Sequence, residues 1–367
     1  MQDGFAPSIN YAAADYERLR ATMRKWWGNE LGRPVGGVIL TGQPSHRAPS
    51  PHPVLRFENA WDENISPEQF IDAQDSVFST MRWKGDAYPW MNFDRFGPGV
   101  LAAFLGCTVH ARKETVWFEA AKPDIPLSEM HFELDKNNPY LRRVLNVYEA
   151  GMEKWRGAVV MSMADLGGVM DILASFRGTE NLLFDLYDEP EEVLRCVKEI
   201  QREWFKCFDL INSVIDGQMG YSQWFNVYGE KPGYILQSDF SYMISPDMFK
   251  TFVAPELDSS AKRLTNALYH LDGPGEIPHL DQLLAMEGVK AIQWMPGPEI
   301  SGAWDADWSE LIARILAGGK KLLTFALTPD GNLNPVIKDP GQVFLGDHHF
   351  TDLEEAKRWA DRFGIDL

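Results

Sequence analysis

ALYHLDGPGEIPHLDQLLAMEGVKAIQWMPG, residues 267–297, reads as a strand, a helix and a second strand. Ala267–Leu271 and Ala291–Trp294 are short apolar runs of strand length, and Leu280–Met286 between them is helical in pattern. Two apolar strands joined through a helix imply a parallel pair with a crossover. Both runs are apolar on both faces, as strands must be when helices cover the sheet.

The same unit repeats outward along the chain. Apolar strand-type runs are expected at Val35–Thr41, Thr115–Glu119, Ala158–Met163, Tyr234–Ser238 and Leu322–Leu327. Helices are expected at Tyr11–Trp27, Ser66–Met81, Asn138–Trp155, Thr179–Tyr187, Glu191–Val214, Pro246–Leu264, Trp308–Ala317 and Thr351–Phe363. Pro67 and Pro246 stand in first turns, where a missing N–H costs nothing. Seven to nine strands alternating with helices fit a (β/α)8 barrel better than an open sheet. The expected class is therefore α/β: a single TIM barrel spanning residues 1–367, with a helical extension over about residues 1–34. Neither GxGxxG nor GxxxxGK[ST] follows the first strand, which removes the main support for a dinucleotide or P-loop site.

Composition narrows the function. The 367 residues carry 35 Lys+Arg against 53 Asp+Glu, a formal charge of −18, with 45% hydrophobic and 24% charged residues. This is a globular composition. The acidic balance argues against nucleic acid, whose phosphates demand a basic face. The three cysteines, Cys107, Cys196 and Cys207, have no zinc-type pair spacing and are too few for a disulfide framework. The amino terminus lacks an apolar signal core, and no run approaches the roughly 18 residues of a membrane span. A soluble, cytoplasmic chain without membrane contact is expected.

In a parallel barrel, catalytic groups sit where strands end and loops begin. Reading strand ends gives Asp165 after AVVMSM, Gln237 and Asp239 after YIL, His270 and Asp272 in ALYHLD, and Gln293 and Trp294 in AIQWMPG. His270 and Asp272 alternate onto one side of their strand, with Leu271 opposite. An imidazole and a carboxylate so placed share one metal ion, or the carboxylate orients the imidazole as a base. The plainer alternative is that Asp272 caps the next helix and His270 is a core residue. Ser245 is the expected N-cap of the helix beginning at Pro246, which leaves Asp239 unexplained by capping and favours a pocket role. Asp165, Gln237, Gln293, Trp224 and Trp294 are candidate substrate contacts. Asp347-His348-His349 reads as a surface turn; were it a strand, at most one of the two imidazoles would face the cavity.

Five segments resemble one family. They are Trp26-Trp27-x-x-Glu30 with Arg33-Pro34; NFDRFGPGVLAAFLGC; DILASFRGTENLLFDLYDEPEEV; Ser238-Asp239-Phe240 through Ile244-Ser245-Pro246-x-x-Phe249; and YHLDGPGEIPHLDQLL with AIQWMPG. Together they resemble the uroporphyrinogen decarboxylase superfamily, in its corrinoid-linked methyltransferase branch. The resemblance implies a (β/α)8 barrel with a deep cleft, a small-molecule substrate, a corrinoid carried by a partner protein, and self-association as a homodimer. Porphyrinogen decarboxylation is disfavoured, because the region Trp27–Gln43 offers Arg33 but no arginine cluster for a polycarboxylate. The family's methyltransferases bind zinc through His-x-Cys and a later Cys. Here the motif is His270-Leu271-Asp272, and no cysteine follows Cys207. What remains is a His270/Asp272 site for zinc or a harder divalent ion, or the same pair working metal-free as base and orienter, with Asp239 across the cleft. The reading that follows is a methyltransferase-like enzyme. The alternatives are a metal-free lyase or decarboxylase of a small carboxylate, and a non-catalytic protein binding a carbohydrate or osmolyte.

Overall fold

The computed structural model describes residues 9–120, 125–217, 219–297 and 306–367. Its strands are β1 (Val35–Leu40), β2 (Arg82–Gly85), β3 (Trp90–Met91), β4 (Thr108–Ala111), β5 (Val116–Glu119), β6 (Val160–Met161), β7 (Tyr221–Ser222), β8 (Tyr228–Gly229), β9 (Ile235–Leu236), β10 (Ala267–Asp272), β11 (Val289–Met295), β12 (Lys321–Leu323) and β13 (Val343–Phe350). Seven of them form one sheet in the order β2-β1-β13-β12-β11-β10-β9. Every pairing in it is parallel except β1 with β2. A short parallel pair, β3 with β6, is prolonged by a bridge between Ser162 and Ser222.

The helices between strands start where the sequence caps them. Asn138 Oδ1 accepts the N–H groups of Tyr140 and Leu141 at 2.9 and 3.2 Å, with Pro139 in the first turn. Ser66 and Gln69 form a reciprocal capping box ahead of Pro67–Phe78. The expected long helix from Pro246 is interrupted by a π-type turn at Phe249–Val253 and resumes as Ala254–Arg263. Pro255, which has no N–H to give, stands directly after the interruption.

The expected eight-stranded closure is not drawn by the backbone ladder, which ends at β2 on one side and β9 on the other among the described residues. The strand segments on that side are two residues long, and Pro89 directly precedes β3. Side chains nevertheless share one interior. Val35, Val160, Ile235, Leu268, Ala291, Leu323 and Phe344, from seven different strands, belong to a single buried cluster. The helix Ala13–Trp27 adds Tyr16, Leu19, Met23 and Trp26 to that cluster, a stripe at helical spacing. Val35 and Ile235 are the first residues of their strands and Leu268 the second, so this helix plugs the amino end.

Two segments differ from the sequence reading. Leu322–Leu327 is a strand only as far as Leu323, because Thr324 and Phe325 take φ of 66° and 49° and turn the chain away. Asp347-His348-His349 is not a surface turn but the middle of β13, paired with β1. The alternation expected for a strand holds there: His348 turns outward against the Trp359 ring, 4.4 Å between centroids. Among the described residues no helix is long and apolar enough to cross a membrane.

Candidate active site

β10 sorts its side chains by alternation. Leu268 joins the interior cluster, while Tyr269 and Leu271 face the helices. His270 and Asp272 therefore follow Leu268 on the interior side, towards the carboxyl end of the strand. Asp239 comes to them from the neighbouring strand, as the first residue of a 3-10 turn (Asp239–Met243) just after β9. That turn is held by Asp171, whose carboxylate accepts the N–H of Asp239 at 3.1 Å and of Phe240 at 2.7 Å. Ser245 caps the next helix as expected, accepting from Met248 N–H at 3.3 Å. One nitrogen of His270 and one oxygen each of Asp239 and Asp272 lie within 4.8 Å of one another.

Other expected residues gather around this group. Gln293, the register partner of His270 on β11, places Oε1 2.8 Å from His270 Nδ1. With that oxygen accepting, Nδ1 carries the proton and Nε2 keeps its lone pair. Trp224 stands edge-on to the imidazole at 5.5 Å and is itself anchored by its Nε1–H to the Ile235 carbonyl at 3.0 Å. Asp165 is buried, with Oδ1 accepting from Gly167 N–H at 2.9 Å and Tyr234 hydroxyl at 3.4 Å. Gln237 is buried with Oε1 lacking a partner among the described residues. With Asp171 and Asp239 it lines a cavity of about 630 Å³ that runs out beneath the segment 115–120.

One expectation needs correction, and one alternative falls away. Trp294 does not line the cleft with Gln293: neighbours on a strand point to opposite faces, and Trp294 is fully buried edge-on to Trp308 at 4.8 Å. Asp272 caps no helix, since it ends β10 and Gly273 precedes the following 3-10 turn. Arg33, the one basic residue the amino-terminal region offered, is bound in a two-point ion pair with Asp86 at 2.6 and 2.9 Å.

The site is strongly acidic. Burial pushes Asp165 up to about 7, against the Gly167 N–H and His270, which both favour the ionised form. Asp171 is likewise pushed up to about 7 by burial and then by Asp239. Asp239 reaches solvent in the cleft, yet crowding by protein, then Asp272 and Asp165, shifts its carboxyl upward. Glu276, fully buried and accepting from the Tyr269 hydroxyl at 2.9 Å, lies well above the ordinary range through burial and then Asp239. Nothing in the residue pattern singles out Glu276, which is one of many acids in loops. Asp171 stood out only as a carboxylate some way after Asp165. The three cysteines are buried, and burial pushes the Cys107 and Cys196 thiols up to about 12 and 11, so none offers a thiolate here.

No protein-family model matches the sequence, and neither does any curated protein. Solved structures do. A methyltransferase from Methanosarcina mazei superposes with a TM-score of 0.56 at 13% identity, covering 94% of this chain and 98% of that one. This chain shares the fold of that methyltransferase. The likeness extends over most of both chains.

Proposed function

We propose that this protein is a methyltransferase-like enzyme of the uroporphyrinogen decarboxylase type, built on a (β/α)8 barrel and working on a small molecule at the carboxyl ends of its strands. The observation that carries the reading is the convergence of Asp239, His270 and Asp272 within 4.8 Å on a fold shared with a methyltransferase. Two carboxylate oxygens and an imidazole nitrogen suit a divalent cation, zinc or a harder ion, with His270 and Asp272 as principal ligands. When bound, such an ion lowers the pKa of an oxygen or nitrogen on the acceptor and so makes it a better nucleophile.

The chain's own groups do the rest. Gln293 fixes the imidazole tautomer and ring angle, leaving Nε2 free as a donor atom. Asp171 fixes Asp239 by holding the turn that carries it. Trp224 walls the imidazole and limits water on that side. An acceptor that takes a methyl group must give up its proton, and Asp239 stands at the solvent-reaching mouth to receive it. The other methyl carrier in this reading is a corrinoid on a partner protein. Asp239 and Asp272 beside His270 oppose a carboxylate substrate, so a decarboxylase is not the reading favoured here.

The test is methyl transfer from free methylcobalamin to small thiol, hydroxyl and amine acceptors, followed by loss of the methylcobalamin spectrum. Turnover is expected with at least one acceptor class after loading with a divalent ion, and none in His270→Ala. Absence of turnover with every class, or full turnover in His270→Ala, contradicts the reading.

A further inference from the structure

A second cavity, of about 520 Å³, lies against β1, β3 and β13 and contains none of the Asp239–His270–Asp272 group. It faces the same end of the sheet. The register runs from His270 to Gln293, from Gln293 to Leu323 and from Leu323 to Phe344, and Asp347 stands three residues further towards the carboxyl end of β13. By the alternation that turns His348 outward, Leu345, Asp347 and His349 share the inner face.

The lining has a consistent chemistry. Phe78, Trp83, Trp90 and Phe225 give it aromatic walls. Asp347 is its one acid and Arg95 its one arginine or lysine, among the described residues. Gly37, opposite Asp347 on β1, makes room for the carboxyl: a Cβ there would lie 1.9 Å from Asp347 Oδ1. Asp347 Oδ2 is buried and has no hydrogen-bond partner among the described residues. The Asn226 and Trp90 side chains hydrogen-bond the carboxyl and favour its ionised form, but they do not overcome its burial and leave Oδ2 unpartnered. A buried acceptor without a donor is costly, so this oxygen asks for a donor from whatever fills the cavity.

The walls restrict what that is. A carboxylate or an ammonium would face a like charge, Asp347 or Arg95, as well as the opposite one, and either would lose its water against indole and phenyl surface. A hydroxyl meets neither objection, and a ring matches the aromatic faces. The volume lies within the range of small-molecule sites.

We propose that this cavity is a second binding site, for an uncharged ring compound whose hydroxyl donates to Asp347 Oδ2 while the ring packs among Trp90, Phe225 and Trp83. Aryl alcohols and sugars share that chemistry.

The test is calorimetric titration of the full chain with four probes: benzyl alcohol, methyl β-D-glucopyranoside, benzylammonium and benzoate. At least one hydroxyl probe is expected to bind, at least tenfold more tightly than either ion, and which one binds separates an aryl alcohol from a sugar. Asp347→Leu, of similar volume, is expected to weaken that probe tenfold or more with an unchanged melting temperature. Phe225→Leu, which removes a wall without touching a hydrogen bond of Asp347, is expected to weaken it as well, and serves if Asp347→Leu does not fold. Failure of both hydroxyl probes, tighter binding of either ion, or unchanged binding in folded variants overturns the proposal.

Discussion

At the amino ends of the strands, Tyr16, Leu19, Met23 and Trp26 fill the space between Val35, Ile235, Leu268 and Phe344. At the carboxyl ends, Asp165, Asp171, Asp239 and Asp272 crowd one imidazole, and Gln237 Oε1 and Asp347 Oδ2 stay unpartnered among the described residues. A charge near the amino-end plug, Lys321, is bound by Asn29 Oδ1 at 2.7 Å and lies over the Trp26 ring at 4.9 Å. One end is thus built from apolar contact, and the other gathers groups that cost stability. A stretch of chain that concentrates such cost at strand ends is organised for chemistry, because packing alone would remove it.

The sharpest way to break this contrast is to damage both ends equally. Trp26→Ala is expected to lose about 3–5 kcal/mol of stability, read as a lower denaturant midpoint. His270→Ala, at a half-buried position, is expected to shift that midpoint far less. Equal losses would dissolve the distinction.

Proton linkage gives the next effect. Asp165 holds its proton up to about 7 in the folded chain because it is buried, while in the unfolded chain it ionises near its ordinary value. The groups facing it are Gly167 N–H, the Tyr234 hydroxyl, His270 and Asp94. Below about pH 4 both states are protonated. As pH rises towards 7 only the unfolded chain releases the proton, so this carboxyl lowers stability through that window. Asp165→Asn keeps an oxygen for Gly167 and removes the charge. Its melting temperature relative to the unaltered protein is expected to rise between pH 5 and pH 8, and a flat difference contradicts the burial argument.

Smaller again is the support given to His270. Gln293→Leu is expected to weaken divalent-ion affinity about 10–100-fold, measured by competition with a chromophoric chelator, at little change in stability. The smallest effect sharpens the placement of Asp239: Ser245→Ala removes a cap just beyond its turn and is expected to cost about 1 kcal/mol, with ion affinity unchanged.

Much of this was legible in the residues because it is local. Val35–Leu40 and Ala267–Asp272 are strands where apolar runs of strand length said so, and Pro139–Trp155 is the helix expected over Asn138–Trp155. Alternation alone put His270 and Asp272 on one side of β10. The same rule applied to AIQWM already separates Gln293 from Trp294, so the misplacement of Trp294 was avoidable. β13 was hidden because Gly346 and three polar residues interrupt its apolar pattern. Those polar residues make sense only beside Gly37 and the cavity, which are distant in sequence. Glu276 and the incomplete strand ladder depend on packing between remote segments, for which a single sequence holds no periodic signal.

The central claim is that Asp239, His270 and Asp272 form one cation-holding centre at the carboxyl ends of the strands. Equilibrium dialysis of the purified protein against zinc and manganese, with the His270→Ala and Asp272→Asn variants alongside, tests it most directly. The account predicts one tightly held ion per chain, lost in both variants while their melting temperatures stay close to that of the unaltered protein. Absence of a bound ion in the folded protein, or equal binding in all three, would contradict it.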